Sequence, residues 1–180
     1  QSTFSNILII DNFGVTGGGM SFLQSDTKLY NCVINQNTSR LFAGGLFTYI
    51  TDIILINSTV SENSSMLHAG GMKIEDSDLL LADVVISNNI AHGIGGGLFS
   101  TNSKLHCKNI NINRNSSSIG GGLVYTNISD YSTMLFENLT VTENSASMYG
   151  GGVYSEIFGV KAEFMNTIVW NNSPDSFHFF

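Results

Sequence analysis

A diglycine returns through the whole chain, at Gly18-Gly19, Gly44-Gly45, Gly70-Gly71, Gly96-Gly97, Gly121-Gly122 and Gly151-Gly152. Successive pairs are 26, 26, 26, 25 and 30 residues apart. An asparagine stands six or seven residues before each pair: Asn12, Asn37, Asn63, Asn89, Asn115 and Asn144. Asn172 opens a further unit. Self-similarity at this period marks a solenoid, in which each unit buries its apolar side only by stacking on its neighbours. Such a chain is a rod, and any chemistry it performs sits on an outer face.

Aligning the units on a second asparagine position exposes the fold. That position holds Asn6, Asn31, Asn57, Asp83, Asn109, Asn138 and Asn166. Three residues later come Ile9, Ile34, Val60, Ile86, Ile112, Val141 and Val169, all β-branched. Two residues earlier come Phe4, Leu29, Leu55, Leu81, Cys107, Phe136 and Phe164. Met20, Leu46, Met72, Leu98, Leu123 and Val153 follow the diglycines. Apolar residues at spacings of two are strand periodicity, and no helical spacing recurs. Each unit reads as three short strands joined at three Asn or Gly corners, residues that tolerate left-handed backbone angles. The expected fold is all-β: a right-handed parallel β-helix of about seven coils forming one domain over residues 1–180. At about 4.8 Å per coil it is roughly 34 Å long. Both asparagine columns are expected to point inward and bond backbone in adjacent coils, since buried polar groups need partners. Asn63 and Asn89 are expected to be buried. Asn88 is expected to face outward, its replacement by Ala costing within about 0.5 kcal/mol. The diglycines are expected to let the backbone turn tightly.

Composition narrows the partners. Seven Lys or Arg stand against fourteen Asp or Glu, with no basic run, which argues against nucleic acid and anionic membrane. Apolar runs such as Ile53 to Ile56 are far too short to span a bilayer as a helix. Cys32 and Cys107 lie three coils apart, an axial gap of roughly 14 Å, beyond disulfide reach. Both read as small buried apolar residues. Asn-x-Ser/Thr sequons occur at Asn37, Asn57, Asn63, Asn115, Asn127, Asn138 and Asn171. Inward ladder residues cannot carry glycan, and Asn127, in an irregular loop, is the expected acceptor.

Motifs such as Gly44-Gly45-Leu46-Phe47, Gly96-Gly97-Leu98-Phe99 and Gly151-Gly152-Val153-Tyr154, with Ile86-Ser87-Asn88-Asn89 and Val141-Thr142-Glu143-Asn144, resemble the repeats of the polymorphic outer membrane protein family. That family carries Gly-Gly-Ala-Ile and Phe-x-x-Asn. Here Ile or Val replaces the Phe in every unit, and the residue after the diglycine is bulkier than Ala. The resemblance covers almost the whole chain. It implies a β-helix of the pectin-lyase-like class, and surface display, adhesion or assembly.

That class also contains polysaccharide lyases and hydrolases. Hydrolysis of glycosidic bonds needs two carboxylates at a defined separation. Asp26, Asp52 and Asp78 share one repeat position and form a carboxylate column, a calcium candidate. Turn capping is the competing reading and the favoured one. His68 and His92 both precede a diglycine in adjacent coils, but no third zinc ligand accompanies them. No catalytic constellation emerges and no cofactor is expected.

The outward positions are unusually apolar. Ile54, Ile56, Leu80 and Ala82 alternate with inward residues, as do Val33, Val85, Phe47, Phe99, Val124 and Tyr154. A half-buried strand is normally polar outside, and large apolar surface marks a partner. The repeat is already under way at Phe4, so the first coil is expected to stack on something. The tail holding Phe177, Phe179 and Phe180 is expected to fold over the last coil. Two enlarged corners, Thr126 to Ser132 and Ser155 to Ala162, are expected at one end of the rod. Together these features predict an extracellular or cell-surface structural module that packs with itself or sister chains into a fibre or layer. Exposed Tyr and Phe leave a carbohydrate-binding or carbohydrate-cleaving protein as the alternative.

Overall fold

The computed structural model describes residues 2–126, 134–156 and 162–179. These residues form strands, turns and bends, with no helix among them, and so none long and apolar enough to cross a membrane. The architecture is a right-handed parallel β-helix built from three parallel sheets.

Sheet one carries the longest strands, Ile53–Ser61, Asp78–Ser87, Lys104–Asn113 and Met134–Thr142. In the first two coils and the last coil the same path breaks into shorter pieces, such as Thr27–Tyr30 with Val33–Asn35. Sheet two holds the arc after the first asparagine column, including Thr38–Phe42, Ser64–Ser65, Ile90–Ala91 and Ser145–Tyr149. Sheet three follows the diglycines: Leu46–Tyr49, Met72–Glu75, Leu98–Thr101, Leu123–Thr126 and Val153–Glu156. The register is the repeat itself: Leu55 lies on Leu81, Leu81 on Cys107, and Cys107 on Phe136.

Among the described residues a coil turns at up to four left-handed corners, one more than the sequence suggests. The outer asparagine position is one, from Asn6 to Asn166. The residue before each inner asparagine is the second: Asp11, Gln36, Glu62, Asn88, Arg114, Glu143 and Asn171. The third precedes each diglycine, at Gly17, Ala43, Ala69, Gly95, Gly120 and Gly150. The fourth, at Gln24, Ile50, Asp76 and Asn102, joins sheet three to sheet one. Ile50 sits at φ 50°, a conformation that β-branched residues avoid. Bonds between coils impose it: the Ile50 amide donates to the Glu75 carbonyl at 3.1 Å, and the Asp76 amide to that of Thr101 at 3.2 Å.

The inward apolar residues of sheets one and three form one continuous core. Cys32 and Cys107 belong to it, both buried and unpaired. Burial pushes the Cys107 thiol up to about 12, which makes it inert as a nucleophile.

The inner asparagines close one side of this core. Asn37, Asn63, Asn89, Asn115 and Asn144 are buried. Each Nδ2 donates to Oδ1 of the next coil's asparagine, and the same Oδ1 accepts the preceding asparagine's backbone N–H. The second amide hydrogen goes to the carbonyl of the β-branched residue in the coil before, as from Asn89 to Val60 at 3.0 Å.

The diglycines are required by close approach to the neighbouring coil, its backbone for the first glycine and its backbone and ladder asparagine for the second, rather than by a left-handed turn. That turn belongs to the residue before them. A Cβ on Gly45 would stand 2.8 Å from the Gly71 carbonyl and 3.0 Å from Asn63 Nδ2, and one on Gly44 would stand 2.5 Å from backbone atoms of Ser64 and Gly70. The two sequence hallmarks therefore meet in space: the second glycine of each pair lies against the inner asparagine of the next coil.

Candidate functional site

The expectation for the outer asparagines is corrected. Asn6, Asn31, Asn57, Asp83, Asn109, Asn138 and Asn166 are exposed. Their left-handed backbone turns the side chains out of the core, where they bond one another along the rod. Asn31 donates to Asn6, Asn57 to Asn31, Asn109 to Asp83, Asn138 to Asn109 and Asn166 to Asn138, at 2.7–3.2 Å. These bonds run towards the first coil, opposite to those of the inner ladder. Asp83 has no N–H to donate, so no such bond runs from it to Asn57.

The fourth corner has a ladder that sequence reasoning missed. Thr51, Ser77 and Ser103 are buried, and each hydroxyl oxygen accepts the backbone N–H of the corresponding residue one coil earlier, at 2.9–3.2 Å. Their signal was a Ser or Thr at strict 26-residue spacing, directly before Asp26, Asp52, Asp78 and Lys104. The aspartates do related work. Asp26 accepts the Asp52 amide at 3.3 Å, and Asp52 accepts the Asp78 amide at 3.0 Å. This is the turn-capping role. Among the described residues no group of three or more His, Cys, Asp or Glu is placed to hold a metal ion.

The histidines stay apart in register. His68 pairs with Phe42 and accepts the Ile94 amide on Nδ1 at 3.1 Å, whereas His92 lies near the Ser65 carbonyl.

Four of the residues expected to face outward are not at the surface. Phe47 and Phe99 are 8% exposed and Tyr154 3%, and Val124 is fully buried. The left-handed turn before each diglycine brings the end of the arc back over the outer face of sheet three. Phe42, Ile94 and Ile119 then pack on Phe47, Phe99, Val124 and Tyr154, making a second, smaller core. Lys73 shares this layer. Its ammonium lies 4.1 Å from the Phe42 ring centre and 2.5 Å from Glu75 Oε2. Burial holds the His68 imidazole below its usual pKa, and the Lys73 charge adds to this.

Ile54, Ile56, Leu80 and Ala82 do face outward on sheet one, half-buried by their neighbours. Ile54 and Leu80 help line a groove of about 410 Å³, with Leu135 and the polar groups of Asp52, Asp78, Lys104 and His106.

Several exposed apolar side chains lie on the arc, Phe13 and Val15 in the first coil at the end of the rod and the others in the two coils that follow. Phe13 is 66% exposed, Met66 59%, Val15 54%, Leu41 41% and Leu67 39%. Leu41 and Leu67 directly precede the bridged pair Phe42 and His68, so they occupy neighbouring rungs. Val15 directly precedes Thr16, which pairs with Phe42. The result is an apolar stripe across three coils. The surface these arcs form depends on how the third corner turns.

At the ends, the inward side chains of the first coil, among them Phe4, Ile9 and Met20, are only partly buried. The tail strand Phe177–Phe179 adds to sheet three beside Val153, and the Phe177 ring meets Phe164 edge-on at 5.8 Å. Asp175 fixes the tail by accepting the Gly150 amide at 2.7 Å and pairing with His178 at 2.8 Å. The enlarged segments expected at Thr126 to Ser132 and Ser155 to Ala162 fall largely outside the described residues. Residues 127–133 and 157–161, with Asn127 among them, lie outside the described residues, as does Phe180.

No family model matches this chain, and neither does any curated protein or solved structure. The right-handed parallel β-solenoid is consistent with the pectin-lyase-like superfamily in general.

Proposed function

We propose that this chain is a non-catalytic β-helix scaffold, displayed outside the cell or on its surface, that packs side by side with copies of itself or with sister chains. The observation that carries this reading is the stripe of Phe13, Val15, Leu41, Met66 and Leu67. Contiguous exposed apolar surface on a soluble fold is where partners bind. A second copy suits it because every rung repeats at about 4.8 Å, so two stripes match in spacing along their length. Sedimentation equilibrium across the micromolar range tests this. The native chain should associate, and the pair Leu41→Glu and Leu67→Glu should sediment as a monomer with an unchanged melting temperature. A native chain that stays monomeric throughout, or a variant that associates as strongly, sinks the proposal.

The groove on sheet one supports a second reading, carbohydrate binding or cleavage. Asp52, Asp78, Lys104 and His106 offer hydrogen-bonding groups beside the apolar surface of Ile54, Leu80 and Leu135. Incubation with acidic polysaccharides, with and without calcium, separates the cases. Retention without shortening of the glycan supports binding, and release of products supports an enzyme. An outcome of neither retention nor product release with any of these glycans would remove this reading.

A further inference from the structure

We propose that Asn57 and Asn138 are N-glycan acceptors, and that the sequons at Asn37, Asn63 and Asn115 are closed to glycan in the folded protein. All five satisfy Asn-x-Ser/Thr, with Thr59 and Thr140 completing the first two. The fold separates them. Asn37, Asn63 and Asn115 are fully buried, and both amide hydrogens of each are bonded, one to the next asparagine and one to a strand carbonyl. Ser39 and Ser65, the hydroxyl residues of two of these sequons, are buried as well. A sugar on any of these amides would have to occupy the core.

Asn57 and Asn138 belong to the outer ladder. Their side chains are exposed, and Thr59 and Thr140 are partly exposed on the outward side of sheet one. In the transfer, the asparagine Nδ2 attacks the anomeric carbon of a lipid-diphosphate-linked oligosaccharide. The N–C bond forms, the C–O bond to the diphosphate breaks, and one amide proton leaves to a base of the transferase. The remaining amide hydrogen is enough for the one side-chain bond each residue donates, Asn57 to Asn31 at 2.7 Å and Asn138 to Asn109 at 2.8 Å. Glycosylation is thus compatible with the ladder. Asn171 is exposed too, but Pro174 follows its Ser173, and the backbone of Ser173 is bonded to Asn144 and Ala146. It is not part of the proposal.

The two acceptors lie three coils apart on one edge, about 14 Å along the rod. That edge is the first corner of the coil, and the apolar stripe lies just before the third. The acceptors lie on strands of sheet one and the stripe on the arc of sheet two, so glycans there would attach to a different sheet from the stripe.

This inference rests on the extracellular placement proposed above. Its test is made independent of that placement by giving the full chain a secretion leader in cultured eukaryotic cells. The folded, secreted protein is treated with an amidase that releases N-glycans and marks each occupied Asn as Asp, then mapped by mass spectrometry. Asn57 and Asn138 should be occupied, Asn57→Gln and Asn138→Gln should each lose one glycan mass, and Asn63→Gln should lose none. If secretion fails, translation with microsomes reads the first two sites through the same loss of one mobility step per variant. Either acceptor left bare, or sugar on Asn37, Asn63 or Asn115 in the folded fraction, overturns the proposal. A bare Asn57 under a working leader refutes the acceptor without touching the self-association, which sedimentation reads separately.

Discussion

Replacing Asn89 by Ala removes more than one hydrogen bond. The side chain makes four: Nδ2 donates to Asn115 Oδ1 at 2.9 Å and to the Val60 carbonyl at 3.0 Å, while Oδ1 accepts the backbone and side-chain N–H of Asn63, both at 3.0 Å. Asn115 Oδ1 keeps the Asn89 backbone N–H. The two Asn63 donors are left without an acceptor in a site closed to water, and the Val60 carbonyl loses a donor. Each stranded buried group costs about 1–3 kcal/mol. Partial collapse around the smaller side chain relieves some of this, so the expected loss is about 3–5 kcal/mol, above the usual range for a single substitution. Asn88 is the control. It is exposed, and its φ of 55° favours Asn over Ala. The same corner accepts Gln36, Glu62, Arg114 and Glu143 in other coils, so Asn88→Ala should cost about 1 kcal/mol or less, slightly more than burial alone suggests. Urea unfolding of both variants, with the slope checked for constancy, gives the comparison. An Asn88→Ala loss equal to or greater than that of Asn89→Ala would refute the inward assignment and the ladder energetics with it.

Other outcomes follow from the same geometry. Gly45→Ala should destabilise by about 1–3 kcal/mol, because the new methyl meets the Gly71 carbonyl at 2.8 Å and the Asn63 amide at 3.0 Å; an unchanged melting temperature would contradict this. Asp83→Asn supplies the missing donor towards Asn57 and should stabilise by up to about 1 kcal/mol, read as a raised urea midpoint. His68 sets a pH dependence. Its folded pKa is depressed, so between the ordinary value of 6.5 and the folded value the unfolded chain binds more protons. Stability is fully present above 6.5 and falls as pH drops through that window. The part of this slope due to His68 should vanish in His68→Phe, tested by thermal unfolding between pH 7.5 and 5.

Coil number, the strands after the diglycines and the inner ladder were legible from residue order, because a solenoid gives every rung the same surroundings; the two strands expected around the outer asparagine are one in the central coils, and the arc supplies the remaining sheet instead. Asn37, Asn63 and Asn89 repeat at one interval since each needs the next, and Leu55, Leu81 and Cys107 stack because their neighbours do. The fates of Cys32 and Cys107 followed from that register. What residue order did not settle was which side of a corner faces water. Asn57 and Asn63 look alike in sequence, but a left-handed φ at Asn57 itself sends its side chain outward, whereas for Asn63 the left-handed residue is Glu62, one position earlier. The fourth corner has no preferred residue, as Ile50 shows, because bonds between coils impose its backbone. Phe47, Phe99 and Tyr154 alternate correctly for outward residues, yet the chain before each diglycine folds back and covers them. Alternation along a strand reports only which face a side chain leaves by. Whether that face meets water or another layer is decided by segments distant along the coil, and only the tertiary structure places those.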